Sequence, residues 1–389
     1  MPARSTEAAG ARPALSLAFI GMRGLPADLP GAGGGERETE AKATRLAARG
    51  HRVTVYCRWH YNRRPQSPWR GIRLISLPSI HTKNLDTVSH TLLAALHVLL
   101  PGGADTVSLH GMGNALFAPL LRLGGKRVVV YMDGIDWERP KWGRLARVAL
   151  QAAAWLAFRS ANEVYVDNQA SQAGFRNLFN HAPQVITLAA EVWPAPGSDL
   201  LAEYGLEPNG YILFVGLLRP DKGVHLLVEA YARLKTTLPL VIVGDDPDHG
   251  EYAENLKRAA DGRVRFLGYA YGQAARQLFA NCLIYVQPSV MEGNSPALMS
   301  AMACGRCAVV SDIAQNRETV GEAGLTFHSG DAQDLRQVLD AALAAPERLR
   351  ALGCAALERI NTVYNWERVI DQLEALYERL AARRARHST

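Results

Sequence analysis

The stretch VMEGNSPALMSAMACGRCAVVSD, residues 290–312, sets the pattern that the rest of the chain repeats. It reads as a loop with Glu292 and Gly293, a helix of small and unbranched apolar residues from about Pro296, and a buried strand. The apolar run CLIYVQ at 282–287 precedes it, so the loop lies at the carboxyl end of a strand. Doubly wound sheets bind ligands at that edge, and a helix N-terminus there favours an anion such as phosphate. Either Glu292 faces a ligand or it is a solvated loop acid, and both interpretations stay open.

The length and composition indicate a two-domain α/β protein. At 389 residues the chain is too long for one ordinary hydrophobic core. A hydrophobic content of 48% with 34 glycines and 20 prolines is typical of a folded globular protein and argues against a disordered one. The net charge of +6 and the isoelectric point of about 9.1 permit an anionic partner, such as a nucleotide or a phospholipid surface, without choosing among them.

The cysteines, the apolar runs and the N-terminal residues give information about the cellular compartment of the protein. Five cysteines, an odd number without framework spacing, favour a reducing compartment. Cys304 and Cys307 have C-x-x-C spacing, but no second pair completes a metal site, so we expect core thiols and no bound metal. The sequence contains no run of roughly 18 apolar residues, so no membrane span is predicted. Residues 1–14 lack the apolar core of a secretory signal and are expected to be a disordered tail.

Apolar runs that alternate with helical patterns predict two successive doubly wound domains. The first covers residues 15–190, with strands predicted at 15–21, 52–57, 72–77, 106–109, 128–132, 163–167 and 184–188. A segment rich in proline and glycine, 191–210, is predicted to be the linker. The second domain covers 211–365, with strands predicted at 211–216, 240–244, 264–267, 282–287 and 307–311. A last amphipathic helix, 366–389, is expected to pack back on the first domain, and a cleft between the domains is the default site.

Three glycines, Gly33 to Gly35, immediately precede the first predicted helix. Glycines let a bound group approach the backbone closely while the helix N–H groups point at it. The spacing is not the dinucleotide fingerprint G-x-G-x-x-G, so we do not expect NAD. A loop with a purely structural role is the alternative.

A second loop, DGIDWERPKWG at residues 133–143, follows a predicted strand and concentrates charge and indole at its end, which is typical of a site. The residues that crowd this loop are Asp133, Asp136, Trp137, Glu138, Arg139 and Lys141. The next helix, 144–158, is apolar on most faces and basic at both ends. It can lie on an anionic membrane surface or pack as a helix capped by arginines, and both remain open.

Seven segments in order resemble one known family. They are IGMRGLP with GGGERETEAKATRLAARGHRVTVYCR, TKNLDTVSHT, HGMGNALFAPLLRL, DGIDWERPKWGR, VGLLRPDKGVHLLVEAY, EGNSPALMSAMACG and SDIAQNRETVGEAGL. They resemble the retaining nucleotide-sugar glycosyltransferases of the glycogen-synthase-like family 4, and most of all its bacterial rhamnosyltransferase-like members. The resemblance spans about residues 15–330. It implies a GT-B fold, in which two Rossmann-like domains face an interdomain cleft.

The resemblance implies a donor site for a nucleotide sugar. Lys222 would meet the donor diphosphate as a compact cation, and Glu292 would accept hydrogen bonds from donor-sugar hydroxyls. With Asp133 they make up the implied catalytic set. The implied donor-binding set also contains Gly34, Gly35, Arg219, Gly268, Tyr269, Gly293, Asn294, Ser295 and Ser300. The residues that would contact the acceptor are Asp136, Trp137 and Arg139.

Three positions depart from the family pattern. Asp133 stands where His is usual, and it brings negative charge toward a diphosphate. Leu217 stands where Arg is usual, with Arg219 as a possible substitute. Ser300 replaces the second acid of an E-x7-E pair, so it can make one hydrogen bond to ribose where a carboxylate makes two stronger ones.

The resemblance therefore implies a metal-independent, retaining transferase of a hexosyl or deoxyhexosyl unit. The expected partners are an NDP-sugar donor, UDP- or another NDP-hexose, and a glycan or lipid-linked saccharide acceptor. We expect no further cofactor and no nucleic acid, and a cytoplasmic location with peripheral contact at the inner face of a membrane left open. One alternative is an impaired or non-catalytic relative that serves as accessory subunit of a partner transferase. The other is a GT-B sugar-nucleotide epimerase.

Overall fold

The computed structural model describes residues 14–29, 33–82, 85–138, 143–193, 196–246 and 250–385, so nearly all of the predicted N-terminal tail lies outside the described residues. The chain divides into two compact units. The first unit comprises Met1–Tyr165, Leu178–Gln184 and Ile370–Thr389, and the second comprises Val166–Asn177 and Val185–Val369.

The first sheet is built mainly by the first unit. Its strands are β1 (Ser16–Ile20), β2 (Arg52–Arg58), β3 (Arg73–Leu77), β4 (Thr106–His110), β5 (Arg127–Met132), β6 (Glu163–Val166) and β7 (Gln184–Val185). They follow the order β3-β2-β1-β4-β5-β6-β7, and the pairs from β3 through β5 are parallel. Leu17 of β1, for example, lies opposite Val53 of β2 and Thr106 of β4. The order reverses next to β1, as in a doubly wound sheet.

Helices cover both faces of this sheet. They are α1 (Gly34–Ala48), α2 (Asp86–Leu99), α3 (Ala118–Leu123), α4 (Arg144–Ser160) and α5 (Gln169–Phe179), with 3-10 helices at Met112–Phe117 and Asp136–Glu138. The connection from β1 to β2 leads toward the β3 edge of the sheet, whereas the connections from β3 to β4, β4 to β5 and β5 to β6 lead toward the β7 edge. Right-handed crossovers therefore place α1 on one face and α2, α3 and α4 on the opposite face.

The second sheet is entirely parallel. Its strands are β8 (Ile212–Val215), β9 (Leu240–Val243), β10 (Val264–Phe266), β11 (Ile284–Gln287), β12 (Cys307–Ser311) and β13 (Leu325–Phe327). Their order is β10-β9-β8-β11-β12-β13. The chain thus changes direction along the sheet between β8 and β11, which are neighbours in space but far apart in sequence.

The second sheet has a hydrophobic core on each face. The helices of this part are α6 (Val224–Ala232), α7 (Glu251–Ala259), α8 (Gly272–Asn281), α9 (Pro296–Ala303), α10 (Ala314–Val320), α11 (Ala332–Leu343) and α12 (Pro346–Thr362), with 3-10 helices at Asp199–Tyr204 and Pro220–Lys222. Side chains of a strand alternate between faces, so Ile212 and Phe214 pack with Leu227 of α6, whereas Leu213 packs with Leu298 of α9. Because both faces are buried, the strands read as continuous apolar runs.

The predicted class, α/β with two doubly wound sheets, is confirmed. The short strand β13 was not predicted from the sequence. Part of the predicted linker packs on the second unit, where Leu201 and Leu206 are buried in its core. Residues Val166–Asn177, placed in the first domain by the sequence, group with the second unit.

The last helix, α13 (Trp366–Ala385), joins the first unit from Ile370 onward. Its buried Glu374 accepts hydrogen bonds from Arg49 Nη1 at 2.8 Å and from His51 Nε2 at 2.9 Å. The backbone N–H of Leu15 donates to His51 Nδ1 at 3.2 Å, so the ring proton of neutral His51 lies on Nε2 and points at Glu374. The helix is therefore held to the start of the chain by a buried polar cluster.

The carboxyl group of Glu374 makes this contact depend on pH. Burial alone raises its pKa, but hydrogen bonds from Arg49 and His51 outweigh that effect and hold the pKa below its ordinary value. A lowered pKa in the folded state stabilises the fold above the pKa of the unfolded chain, near 4.3. That contribution is lost as the pH falls through the folded pKa.

We expect Glu374→Gln to lower the free energy of unfolding at pH 7 by about 2–3 kcal/mol, because it leaves the Arg49 guanidinium beside a neutral amide. The difference from the unsubstituted protein should begin to shrink as the pH falls below the pKa of the unfolded chain, about 4.3, and should vanish once the pH has passed the lowered pKa of the native glutamate. Asp371 is the matched control, since it contacts the same Arg49 Nη1 at 2.6 Å but its side chain is 65% exposed. Asp371→Asn should cost at most about 0.5 kcal/mol. Urea unfolding at both pH values measures these differences, and equal losses for the two variants would contradict the assignment.

Candidate functional site

Two loops meet at the reversal point of the second sheet, beyond the carboxyl ends of β8 and β11. The loop after β8 covers residues 216–223 and the loop after β11 covers 288–295. The backbone N–H of Val290 donates to the carbonyl of Asp221 at 3.0 Å. A Cβ on Gly223, whose φ is +66°, would lie 2.0 Å from the carbonyl oxygen of Pro288. Glycine is therefore required for the loops to touch, and their contact forms the crevice in which doubly wound sheets bind ligands.

Lys222 and Glu292 meet in this crevice. The Nζ of Lys222 lies 2.6 Å from Oε1 of Glu292, and the two side chains are 21% and 9% exposed. The same Oε1 also accepts hydrogen bonds from Gln287 Nε2 at 2.9 Å and from Ser289 Oγ at 2.8 Å. Among the described residues, Oε2 of Glu292 has no hydrogen-bond donor. The site therefore presents a cation and a carboxylate oxygen that can accept a ligand hydroxyl.

Gln287 orients Glu292. It is 2% exposed, and its Oε1 accepts hydrogen bonds from Tyr285 Oη at 2.5 Å and Ser295 Oγ at 3.1 Å. Burial raises the pKa of Tyr285 well above its usual value, and the charge of Glu292 adds to this, so the phenol keeps the proton that it donates. With its Oε1 held in this way, Gln287 can only aim its amide N–H groups at Ser289 and Glu292.

Sequence reasoning missed Gln287 and Ser289. The available signal was polar residues at the end of CLIYVQ, a run that is otherwise apolar. A buried amide there needs partners, and the nearest loop supplies them.

Asn294 and Ser295 serve the fold with their side chains. Ser295 Oγ accepts the backbone N–H of Leu298 at 3.3 Å and so caps the N-terminus of α9. Asn294 is 8% exposed, and its Nδ2 donates to the carbonyl of Asp167 at 2.7 Å. The roles expected for the loop Gly293–Ser295 concern its backbone N–H groups, and they remain a prediction.

Two other residues of the predicted donor set lie near the crevice but have partners within the protein. Arg219 lies three residues before Lys222, and its Nε donates to Asp221 Oδ1 at 3.0 Å. Ser300 Oγ donates to the carbonyl of Pro296 at 2.8 Å, inside its own helix. A ligand that uses the Ser300 hydroxyl as a donor must therefore compete with a helix carbonyl.

Two tyrosines lie beyond the end of β10, at the same edge of the sheet. Tyr269 and Tyr271 are 46% and 61% exposed, and their rings stack at 15° with centroids 5.9 Å apart. The backbone of Gly268, with φ +65°, accepts a hydrogen bond from Gly244 N at 2.7 Å. This glycine turn presents exposed aromatic faces, onto which a planar ring can stack.

In the first unit, α1 starts at Gly34, and the side chain of Glu36 in its first turn folds back onto the backbone in front of the helix. The carboxylate of Glu36 accepts the backbone N–H of Gly33 at 2.7 Å and that of Arg23 at 3.0 Å. A Cβ on Gly35 would meet nothing within 4 Å, so the protein itself has no steric need for glycine there.

The loop after β5 also belongs to the first unit. Asp133 follows the strand directly, and Asp136 and Trp137 lie in the 3-10 helix Asp136–Glu138. Trp137 is buried, and its ring packs edge-on against the ring of Phe179 with the two centroids 6.1 Å apart, so it contributes to the core. Arg139, the remaining predicted acceptor residue, lies outside the described residues.

A polar cluster at the same edge of the first sheet was not predicted. Asn114 Nδ2 donates to the carbonyl of His110 at 2.6 Å, and its Oδ1 accepts from Thr91 Oγ1 at 2.7 Å. Burial lowers the pKa of His110 well below its usual value, and Lys42 lowers it further. Burial also lowers the pKa of His90, to about 4, so both rings are neutral at pH 7.

No group of three or more His, Cys, Asp and Glu side chains within the described segments is arranged to hold a metal ion. None of the helices in those segments combines the length and the apolar character that crossing a bilayer requires.

Comparisons with known proteins point to one family. A sequence model described as "Glycosyl transferase 4-like domain" matches residues 33–190, and one described as "Glycosyl transferases group 1" matches residues 209–345. Alpha-maltose-1-phosphate synthase of Mycolicibacterium smegmatis is 29% identical over 206 residues, which cover 49% of this chain and 53% of the relative. The chain thus spans about half the length of the curated relatives that it matches.

Solved structures share the fold over nearly the whole chain. Sucrose-phosphate synthase from Thermosynechococcus elongatus gives a TM-score of 0.82 at 22% identity and covers 95% of this chain and 99% of its own. The Anabaena protein HepE, solved in complex with UDP and glucose, gives 0.78 at 19% identity and covers 95% and 100%. These structures show the GT-B fold, and the two sequence models, which match residues 33–190 and 209–345, show that the chain belongs to the group 1 glycosyltransferases, as its resemblance to family 4 implied.

Proposed function

We propose that the chain is a retaining glycosyltransferase that moves a hexosyl or deoxyhexosyl unit from an NDP-sugar to a hydroxyl of a glycan or lipid-linked saccharide. The observation that carries this proposal is the Lys222–Glu292 pair, held at 2.6 Å at the reversal point of the second sheet. A solved neighbour with the same fold contains UDP and glucose, which supports a nucleotide-sugar donor.

In the proposed reaction, the bond between the sugar anomeric carbon and the donor diphosphate breaks. The acceptor oxygen forms the new bond, and its proton passes to the leaving phosphate. Negative charge grows on the diphosphate as the sugar becomes oxocarbenium-like. The ammonium of Lys222 stabilises that charge, and so do the N–H groups at the start of α9, neither of which needs a metal ion.

Glu292 has a different part in this proposal. Its Oε1 is fixed by Gln287 and Ser289, whereas Oε2 can accept a donor-sugar hydroxyl. When the diphosphate draws Lys222 away, the carboxylate is still held by two neutral donors. Its negative charge then lies near the sugar as positive charge develops there.

The remaining donor contacts follow the same edge of the sheet. We assign the nucleobase to the turn at Gly268 and Tyr269, where aromatic rings are exposed. Ser300 is assigned to the ribose. We propose no cofactor beyond the NDP-sugar, and a lipid-linked acceptor at the cytoplasmic face of a membrane as the second substrate class.

The accessory-subunit alternative is favoured by one specific observation, the hydrogen bond that ties Ser300 to the Pro296 carbonyl. Ser300, Leu217 and Asp133 stand where the family usually has an acid, an Arg and a His. A donor site with these residues therefore binds ribose and diphosphate through fewer charge-assisted hydrogen bonds. The epimerase alternative is separated by its substrate requirement, because an epimerase changes the nucleotide sugar without any acceptor.

We expect transfer from an NDP-sugar panel to saccharide acceptors, detected by mass spectrometry, and a thermal shift with the matching nucleoside diphosphate. Lys222→Met and Glu292→Gln should each lower the transfer rate by about 10²–10³-fold, because each removes a charge from the reacting centre. Lys235→Met, at an exposed position of the second unit, is the charge-matched control and should leave the rate unchanged. If no panel member is hydrolysed, transferred or able to shift the unfolding temperature, the transferase assignment is wrong.

Gln287→Leu should raise the dissociation constant of the donor about tenfold, because Glu292 loses a fixed donor worth roughly 1.4 kcal/mol. Tyr285→Phe is the matched control. It removes a buried hydroxyl but leaves the Gln287 to Glu292 hydrogen bond, so both variants should lose stability whereas only the first should lose donor affinity. Calorimetric titration with the donor and urea unfolding measure the two effects. An equal loss of affinity in both variants would indicate a packing role for Gln287.

Ser300→Glu should tighten binding of the nucleoside diphosphate about tenfold or more, since a carboxylate makes stronger hydrogen bonds to ribose hydroxyls than a hydroxyl does. Ser300→Ala should change it less than about threefold, because the native hydroxyl already bonds a helix carbonyl. Titration calorimetry compares the three proteins. If the glutamate brings no gain, weak ribose binding is not what distinguishes this chain, and the accessory-subunit view loses its support.

A further inference from the structure

The face of the first sheet that carries α2, α3 and α4 exposes an unusual number of large apolar side chains. On α2 and its flanks they form one stripe, which comprises Leu85, Val88, Leu92, Leu96 and Leu100. Each of these side chains is at least 40% exposed. Their spacing of three or four residues places them along a single side of the helix. No charged residue interrupts this stripe, which is the reverse of the pattern of a helix that faces water.

Helix α4 continues the same surface with a different composition. Leu145, Val148 and Trp155 are 88%, 63% and 49% exposed. Arg144 and Arg159 are exposed at its two ends, and the guanidinium of Arg159 lies 5.1 Å from the centroid of the Trp155 ring. The outer side of α4 is therefore apolar along its middle and basic at its ends.

The two helices belong to one continuous layer. The 3-10 helix Met112–Phe117 and α3 lie between them and contact both α2 and α4. Leu123, at the end of α3, is 89% exposed and adds to the apolar area. We define the docking surface as the exposed residues of α2, α3 and α4 with Leu85 and Leu100.

The charge of the docking surface is one-sided. The sequences of α2, α3 and α4 contain four arginines, Arg122, Arg144, Arg147 and Arg159, and a single carboxylate, Asp86. Asp86 is engaged by Arg58 Nη1 at 2.6 Å. Burial alone would raise the pKa of Asp86, but the hydrogen bond from Ser79 and the charge of Arg58 outweigh it and hold the pKa below its ordinary value. The surface therefore carries net positive charge around an apolar centre.

This composition fits one of two kinds of occupant better than the other. A second copy of the chain, docked symmetrically, would set one surface with an excess of arginine against an identical surface with the same excess. A bilayer with anionic headgroups neutralises the arginines and takes up the leucines and the tryptophan at its interface. The apolar and the basic residues are then both satisfied by one partner.

We propose that the docking surface binds the interface of an anionic lipid membrane, with the stripe of α2 and the middle of α4 inserted among the acyl chains and the arginines at the phosphates. Of the two roles open for residues 144–158, this assigns the membrane-facing one to the outer side of α4, whereas Ala153, Ala154 and Ala157 pack inward. The binding does not require sugar transfer, so it stands or falls independently of the proposed function.

The test is flotation of the full chain with vesicles of phosphatidylcholine, alone or with one quarter phosphatidylglycerol. We expect binding to the anionic vesicles that weakens as salt is raised, and much weaker binding to the neutral ones. Leu92→Gln/Leu96→Gln should lower the bound fraction on both kinds of vesicle. Arg144→Gln/Arg147→Gln should weaken binding about tenfold or more on anionic vesicles alone.

Matched controls lie in the second unit. Val192→Gln removes an apolar side chain that is 45% exposed, and Arg350→Gln removes an arginine whose side chain is 73% exposed. Neither should change vesicle binding. All four variants should keep their unfolding temperature and their rate of donor hydrolysis in solution, which separates a failure of membrane binding from a failure of catalysis.

Two results would overturn the proposal. One is the absence of vesicle binding, or equal binding by Leu92→Gln/Leu96→Gln and the unsubstituted protein. The other is a lipid-free dimer in sedimentation velocity that the same leucine substitutions dissociate, since the docking surface would then be an interface between two copies.

Discussion

A parallel sheet gathers the carboxyl ends of all its strands at one edge, and the candidate site depends on this constraint. Residues 222 and 292 are far apart in the chain, yet β8 and β11 are neighbours because the strand order reverses between them. The glycine at position 223 then lets the two loops touch, since any side chain there would collide with the carbonyl of Pro288. The Lys222–Glu292 pair is a consequence of topology and of one missing Cβ.

A nearly buried carboxylate is costly unless it is well solvated by the protein. Glu292 is held by one cation and two neutral donors on a single oxygen, so it does not rely on Lys222 alone. This matters for a residue whose ionic partner must turn to a ligand. Gln287 makes the arrangement rigid, because its own oxygen is fixed by Tyr285 and Ser295.

Much of this fold was predictable, because strands buried on both faces stand out as apolar runs. Every predicted strand is present, with bounds shifted by a few residues, and only β13 was missed. The loops that hold Lys222 and Glu292 were also predictable, since they follow such strands. The partners of Glu292 were not, because hydrogen bonds between side chains leave no period in a sequence. The burial of Trp137 was equally hidden, since indole beside charge looks the same in a core as at a binding surface.

Helix α13 gives the molecule an order of assembly. The part of the chain that completes the first unit, from Ile370 on, is made after the whole of the second unit, yet Glu374 bonds to Arg49 and His51 near the beginning. During synthesis, the N-terminal part of the first unit therefore lacks its last helix while the second unit leaves the ribosome and folds. Until the last helix emerges, the apolar surface that the buried side chains Leu373, Leu376 and Tyr377 cover in the folded chain is left exposed to water.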